Sequence, residues 1–308
     1  MEIPLDILKL VATYFVKPKT KLLDWIPIDK LDRMNLSGNP NAIHVLEAYP
    51  NMINWTCLSS NPKATHLLEQ NIKEINWITL SRNPNAIHLL EKYPDMIDWY
   101  NLSYNPNPKA IKLLTENKDK IDWENLSRNP CEGAIKLITE NTQKINWDNL
   151  SKNPCKAAIR LLEANITKIN WYKLSSNPEA IPLLEQYSHK IKWDMLFYNP
   201  NAIHLLEANL DKMNRDVLSA LAANPKAIHL LEPIMSKVDK IFSYYPQHTF
   251  WGGLSANPNA IHLLKNNPDK INWLRLSENP SIFEVDMKQY KIAITKKANI
   301  IDNILYKN

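Results

Sequence analysis

Apolar positions along this chain fall into one recurring phrase, clearest as Ile75-Asn76-Trp77-Ile78-Thr79-Leu80-Ser81-Arg82-Asn83-Pro84-Asn85-Ala86-Ile87-His88-Leu89-Leu90-Glu91. Ala86, Ile87, Leu89 and Leu90 recur at helical spacing and predict an amphipathic helix running from the Asn-Pro step for roughly nine residues. Upstream, Ile75 precedes the N-cap type Asn76, and Leu80 follows four positions into the next element. That is the pattern of a hydrophobic staple at the start of a second, very short helix of α or 3₁₀ character. Neither helix is long enough to be stable alone in water. Stacking of such units would bury their Ile, Leu and Trp columns in one continuous core.

The Asn-Pro step returns with prolines at 40, 62, 84, 106, 130, 154, 178, 200, 225, 258 and 280, so the spacing is 22 to 25 residues except for one gap of 33. Proline is favoured at the first helical position, and it pushes its predecessor toward the extended conformation of an N-cap, so each Asn is expected to cap the longer helix. The sequence therefore predicts an all-α, right-handed solenoid of about eleven 22–24-residue repeats, each one medium helix plus one short helix, with strand content near zero. Capping helices are expected over residues 1–36 and a C-terminal cap over 281–308. The repeat array would fill 37–280, with one interrupted repeat at 226–257.

The joined phrases Asn-Pro-x-Ala-Ile-x-Leu-Leu-Glu and Trp-x-x-Leu-Ser-x-Asn-Pro resemble the repeats of proteins from giant DNA viruses of protists, over about residues 25–286. The ending Asn279-Pro280-Ser281-Ile282-Phe283-Glu284-Val285-Asp286 is similar to the close of such arrays, without their usual continuation. A more distant likeness is to leucine-rich variant repeats, which implies a right-handed superhelix and carries no function. The phrase Ile3-Pro4-Leu5-Asp6-Ile7-Leu8-Lys9-Leu10 resembles the opening of an F-box, although an atypical capping helix is expected at the end of any solenoid.

Composition changes this picture little. Lys and Arg number 37 against 32 Asp and Glu, a formal charge of +5 that by itself implies no nucleic acid. The cysteines, Cys57, Cys131 and Cys155, are odd in number and form no metal-type pair, so neither disulfides nor a metal or other cofactor is expected. No stretch approaches the ~20 apolar residues of a membrane span, and the first residues lack a basic leader, so no membrane partner is expected. The location implied is intracellular, in host cytoplasm or virion, and not secreted.

Three columns carry candidate chemistry. Trp at 55, 77, 99, 123, 147, 171, 193, 251 and 273, with Arg33 and Arg215 in two copies, could stack on bases or a peptide but is expected to serve mainly as packing. His and Glu three apart, as in His44/Glu47, His66/Glu69, His88/Glu91, His204/Glu207 and His229/Glu232, share a helical face and should interact weakly. Lys120, Lys144, Lys168, Lys190, Lys212, Lys240 and Lys270 precede successive short helices as a basic ladder, either a solvated edge or a track for a polyanion.

The interruption carries Tyr244, Tyr245, His248, Phe250 and Trp251 beside Gly252-Gly253 and is the candidate partner-binding site, expected to bulge from the stack with its aromatics exposed. No phosphate loop, nucleophile elbow or zinc-protease motif is present. The expected function is a non-enzymatic scaffold binding a viral or host protein. The alternatives are nucleic-acid binding along the lysines and an F-box-like adaptor.

Overall fold

The computed structural model describes residues 3–209, 215–238 and 248–306. It is an all-α array of eleven units, as the period requires. The short helices begin Arg33–Gly38, Trp55–Ser59, Trp77–Leu80, Trp99–Leu102, Trp123–Arg128 and Trp147–Ser151, and the last is Trp273–Ser277. Asn or Asp caps these helices as the staple pattern predicts, whereas Trp193–Leu196 has Lys192 at that position and no side-chain cap. Asn76 Oδ1 accepts from Thr79 N–H at 3.1 Å, and Ile75 and Leu80 are buried on either side. The Leu column (Leu36, Leu58, Leu80, Leu102, Leu126, Leu150, Leu174, Leu196, Leu276) is completely buried between the short- and long-helix layers.

One local expectation is corrected: the Asn of the Asn-Pro step does not cap the long α-helix, whose N-cap is Ala86, Asn107, Cys131 and Cys155 in successive units, although Asn177 and Asn279 cap short 3₁₀ turns. Asn83 Oδ1 accepts from Asn85 N–H in a turn, and the helix starts only at Ile87. Where the spacing is 24 residues the helix is longer, Pro108–Glu116, Glu132–Thr139 and Lys156–Glu163, so the two added residues extend the long helix N-terminally. The short helix is α, one of the two characters expected for it. The 3₁₀ character belongs to a separate turn before it, as in Ile72–Glu74 or Lys118–Lys120, where three residues span the gap to the next cap.

The buried Asn residues of the Asn-Pro steps have a larger role. Each donates its side-chain amide to two carbonyls of the preceding unit: Asn83 Nδ2 to Ser59 O and Asn61 O, Asn129 Nδ2 to Ser103 O and Asn105 O. In units 2 to 7 and 11 the buried Ser hydroxyl donates to its own Trp carbonyl and accepts the cap N–H of the next unit: Ser81 Oγ donates to Trp77 O and accepts from Asp98 N–H. The Leu-Ser-x-Asn phrase is thus an inter-unit fastener with every polar group satisfied. It continues across the irregular region, where Asn257 donates to Ala222 O and Asn224 O.

The ladder does not end at the first unit. Asn39 Nδ2 donates to Ser277 O and Asn279 O, both at 3.1 Å, and Asp32 N–H donates to Ser277 Oγ at 2.7 Å. Unit 1 is therefore stacked on unit 11 as any unit is stacked on its predecessor, and the array is a closed ring. Eleven units sharing one full turn rotate by about 33° each. The expected boundary at 36/37 falls inside the helix Arg33–Gly38, and the segments expected to cap an open solenoid instead join each other. β1 (Thr20–Leu22) and β2 (Phe283–Val285) pair antiparallel with Leu22 opposite Phe283, a two-stranded sheet outside the repeats that keeps strand content as low as expected. The helices Leu5–Thr13 and Met287–Tyr306 pack together beyond it.

Candidate functional site: the inner wall of the ring

Successive short helices touch through short side chains reaching a neighbour's backbone: Asn35 Nδ2 to Leu274 O, Thr79 Oγ1 to Thr56 O, Asn125 Nδ2 to Tyr100 O, Asn149 Nδ2 to Glu124 O. Successive long helices meet through long side chains, and shallow clefts open between them, one lined by Lys136, Thr139, Arg160 and Leu161. The short-helix layer is thus the tighter circle and lines the hole. With neighbours about 8–10 Å apart the helix axes form a circle about 30 Å across, which leaves a lumen of about 20 Å after side chains.

The residue after the first helical position lies about 160° from the buried Leu, on the lumen side, and is exposed at Met34, Thr56, Ile78, Tyr100, Glu124, Asp148, Tyr172, Asp194 and Leu274; in the tenth unit it is Gly252, which is buried, and the side chain of Asp216 lies outside the described residues. Around the ring these residues sort by chemistry. Leu274, Met34, Thr56, Ile78 and Tyr100 belong to consecutive units across the seam, and the four large ones are 54–60% exposed. Opposite them stand Glu124, Asp148, Tyr172 and Asp194. Asp148 accepts from Asn170 Nδ2 at 3.0 Å and from Lys173 Nζ at 3.1 Å, which holds its carboxyl below the usual carboxylate range. The lumen therefore has an apolar arc and an acidic arc. The period hides this pairing in sequence, because Leu274 and Met34 become neighbours only on closure.

The columns singled out in the sequence lie elsewhere. The regular Trp rings are half-buried against the core, and Trp77 packs edge-on against Tyr93 with centroids 5.3 Å apart, a packing role. Apart from His44, which meets Thr20, the His of that column pair with Glu of the preceding unit and not within one helix. His66 Nε2 lies 2.8 Å from Glu47, His88 2.7 Å from Glu69 and His262 2.9 Å from Glu232, because each His projects back toward the preceding long helix. Among the described residues no three His, Cys, Asp or Glu gather as a metal site.

Lys120, Lys144, Lys168 and Lys190 are exposed at the ends of the 3₁₀ turns, and Lys270 is half-buried at the same position. Lys120 Nζ sits 4.6 Å over the Trp99 ring of the preceding unit, and Lys30 sits 5.0 Å over Trp273. Lys30 thus continues the ladder across the seam, whereas Met52, Glu74 and Met96 hold this position in units 2 to 4. Lys212 and Lys240 lie outside the described residues.

Of the candidate partner-binding residues, Tyr244, Tyr245 and the His248 side chain lie outside the described residues. Phe250 and Trp251 are buried, at 0% and 5%, in the helix His248–Ala256 and offer no surface. That helix packs against Arg215–Ala223 with Gly253 at the crossing, where a Cβ would come within 3.0 Å of Ala222 Cβ and Ala223 N. The glycine permits close helix packing; it does not open a bulge.

No family model, curated protein or solved structure matches the chain.

Proposed function

We propose that this chain is a non-catalytic, ring-shaped binding scaffold whose lumen takes a polypeptide segment with apolar side chains on one side and basic side chains on the other. The observation that carries this reading is the sorting of the lumen-facing column. The surrounding framework residues repeat almost unchanged, while this position varies from Leu and Met through Tyr to Asp and Glu. A repeat array that holds its framework and varies one exposed column presents a recognition surface. A lumen of about 20 Å admits a single helix of about 10–12 Å. The resemblance to giant-virus repeat proteins supports a viral or host protein as the source of that segment, met inside an infected cell or virion.

Fluorescence anisotropy with a labelled amphipathic Leu/Lys helical peptide tests the reading, with a Leu/Glu peptide of equal length as control. The Leu/Lys peptide should bind, and Ile78→Glu combined with Tyr100→Glu should weaken it at least tenfold. Equal binding of both peptides, or no effect of the double variant, would overturn it.

A second reading, a polyanion such as nucleic acid on the Lys ladder, is favoured by the extension of that ladder through Lys30. Its affinity for a single-stranded oligonucleotide would fall steeply with salt, and a flat response would remove it.

A further inference from the structure

The helices Leu5–Thr13 and Met287–Tyr306 form a hairpin beside the seam. Leu8 and Ala12 pack against Ile294, Ala298 and Ile301. The pair is antiparallel, since Ile3 N–H donates to Tyr306 Oη at 2.9 Å while Lys297 Nζ lies 5.7 Å over Phe15. This contact uses one side of the first helix. Ile3, Ile7, Leu10 and Tyr14, at intervals of four, three and four with Val11 between them, form a second apolar stripe about a quarter-turn or more away. At 100° per residue, Ile300 and Ile304 on the antiparallel partner turn to the same side of the hairpin. Of 22 exposed large hydrophobic residues among those described, thirteen lie in residues 3–15 and 287–306, with Tyr14 84% and Phe15 65% exposed. A helix apolar nearly all round is normally covered on both sides.

Charge indicates what covers it. Residues 3–19 and 287–306 hold Lys9, Lys17, Lys19, Lys288, Lys291, Lys296 and Lys297 against Asp6 and Asp302, a net +5 that equals the formal charge of the whole chain. Two such surfaces repel each other, which disfavours a second copy. No helix of the described chain is long and apolar enough to cross a membrane. The Tyr14–Phe15 end, with Lys17, Lys296 and Lys297 around it, joins aromatic and cationic groups as an interfacial anchor does. We propose that this hairpin lays its apolar face into the surface of an anionic lipid bilayer and holds the ring there.

Flotation of the full chain with vesicles of phosphatidylcholine and of a phosphatidylcholine/phosphatidylserine mixture of about 70:30 tests this. The chain should float with the anionic vesicles and be released by about 0.5 M salt. Lys296→Glu with Lys297→Glu should weaken that binding at least about thirtyfold, given about 1 kcal/mol per cation near such a surface. Ile7→Glu with Leu10→Glu should abolish it, and because these side chains are exposed the variant should melt like the parent. Failure to float with anionic vesicles, or equal flotation of parent and variants, would overturn the proposal. So would sedimentation equilibrium showing a dimer that Ile7→Glu disrupts, or a soluble protein occupying the same face.

Discussion

Asn39 donates its side-chain amide to the backbone carbonyl of Asn279, 3.1 Å away in space and 240 residues away in sequence. It is the same bond that Asn61 makes to Asn39 and Asn83 to Asn61, so the seam uses no chemistry foreign to the repeat. A buried amide with both protons and its oxygen engaged cannot be dropped cheaply, since each orphaned carbonyl costs about 1–3 kcal/mol.

Asn39→Ala should therefore destabilise the seam by about 2–5 kcal/mol and speed amide exchange of Thr20–Leu22 and Phe283–Val285. Asn129→Ala, its counterpart within the array, should leave exchange at those strands unchanged. Equal acceleration by both variants would mean that opening is not localised at the closure.

At the same seam His44 Nδ1 accepts from Thr20 N–H at 3.1 Å, and desolvation lowers the His44 pKa below its ordinary value. The folded state thus binds this proton less readily than the unfolded chain does. The stability it contributes is complete above the unfolded value near 6.5 and is lost as pH falls below it toward the folded pKa. Strand exchange should rise between pH 7 and pH 5 in the parent and much less in His44→Gln; identical profiles would exclude His44 as the cause.

Gly253→Ala would place a methyl group 3.0 Å from Ala222 Cβ and Ala223 N, forcing two helices apart at about 1–3 kcal/mol. Gly38→Ala meets nothing within 4 Å and should be neutral or slightly stabilising. Chemical denaturation of the two variants gives the comparison directly.

Phe250→Ala should lower stability by about 3–5 kcal/mol, because the ring is completely buried and packs edge-on to Trp251 at 5.7 Å. A melting temperature equal to the parent's would return Phe250 to the list of surface anchors.

Much of the molecule was legible in the sequence. The eleven Asn-Pro steps fixed the number of units, and the Ile-Asn-Trp-x-x-Leu staple fixed the short helices, because local backbone and capping chemistry act over a few residues. The buried core followed from helical periodicity alone. Phe250 and Trp251 were misread as surface because Gly252-Gly253 opposes a helix only until a neighbour requires the space. Likewise the His–Glu spacing satisfies an intrahelical pair equally well as the cross-unit pairs that form. Closure was decided by tertiary structure, since a 22-residue period is the same for an open superhelix and a ring. The choice rests on the small rotation per unit accumulating to one full turn, so that Asn39 finds the carbonyls of Ser277 and Asn279 that every other Asn finds one unit back. The lumen follows from that same accumulation: the identities of Met34 and Leu274 are written in the chain, but their standing side by side on one apolar arc is a consequence of geometry summed over the whole ring.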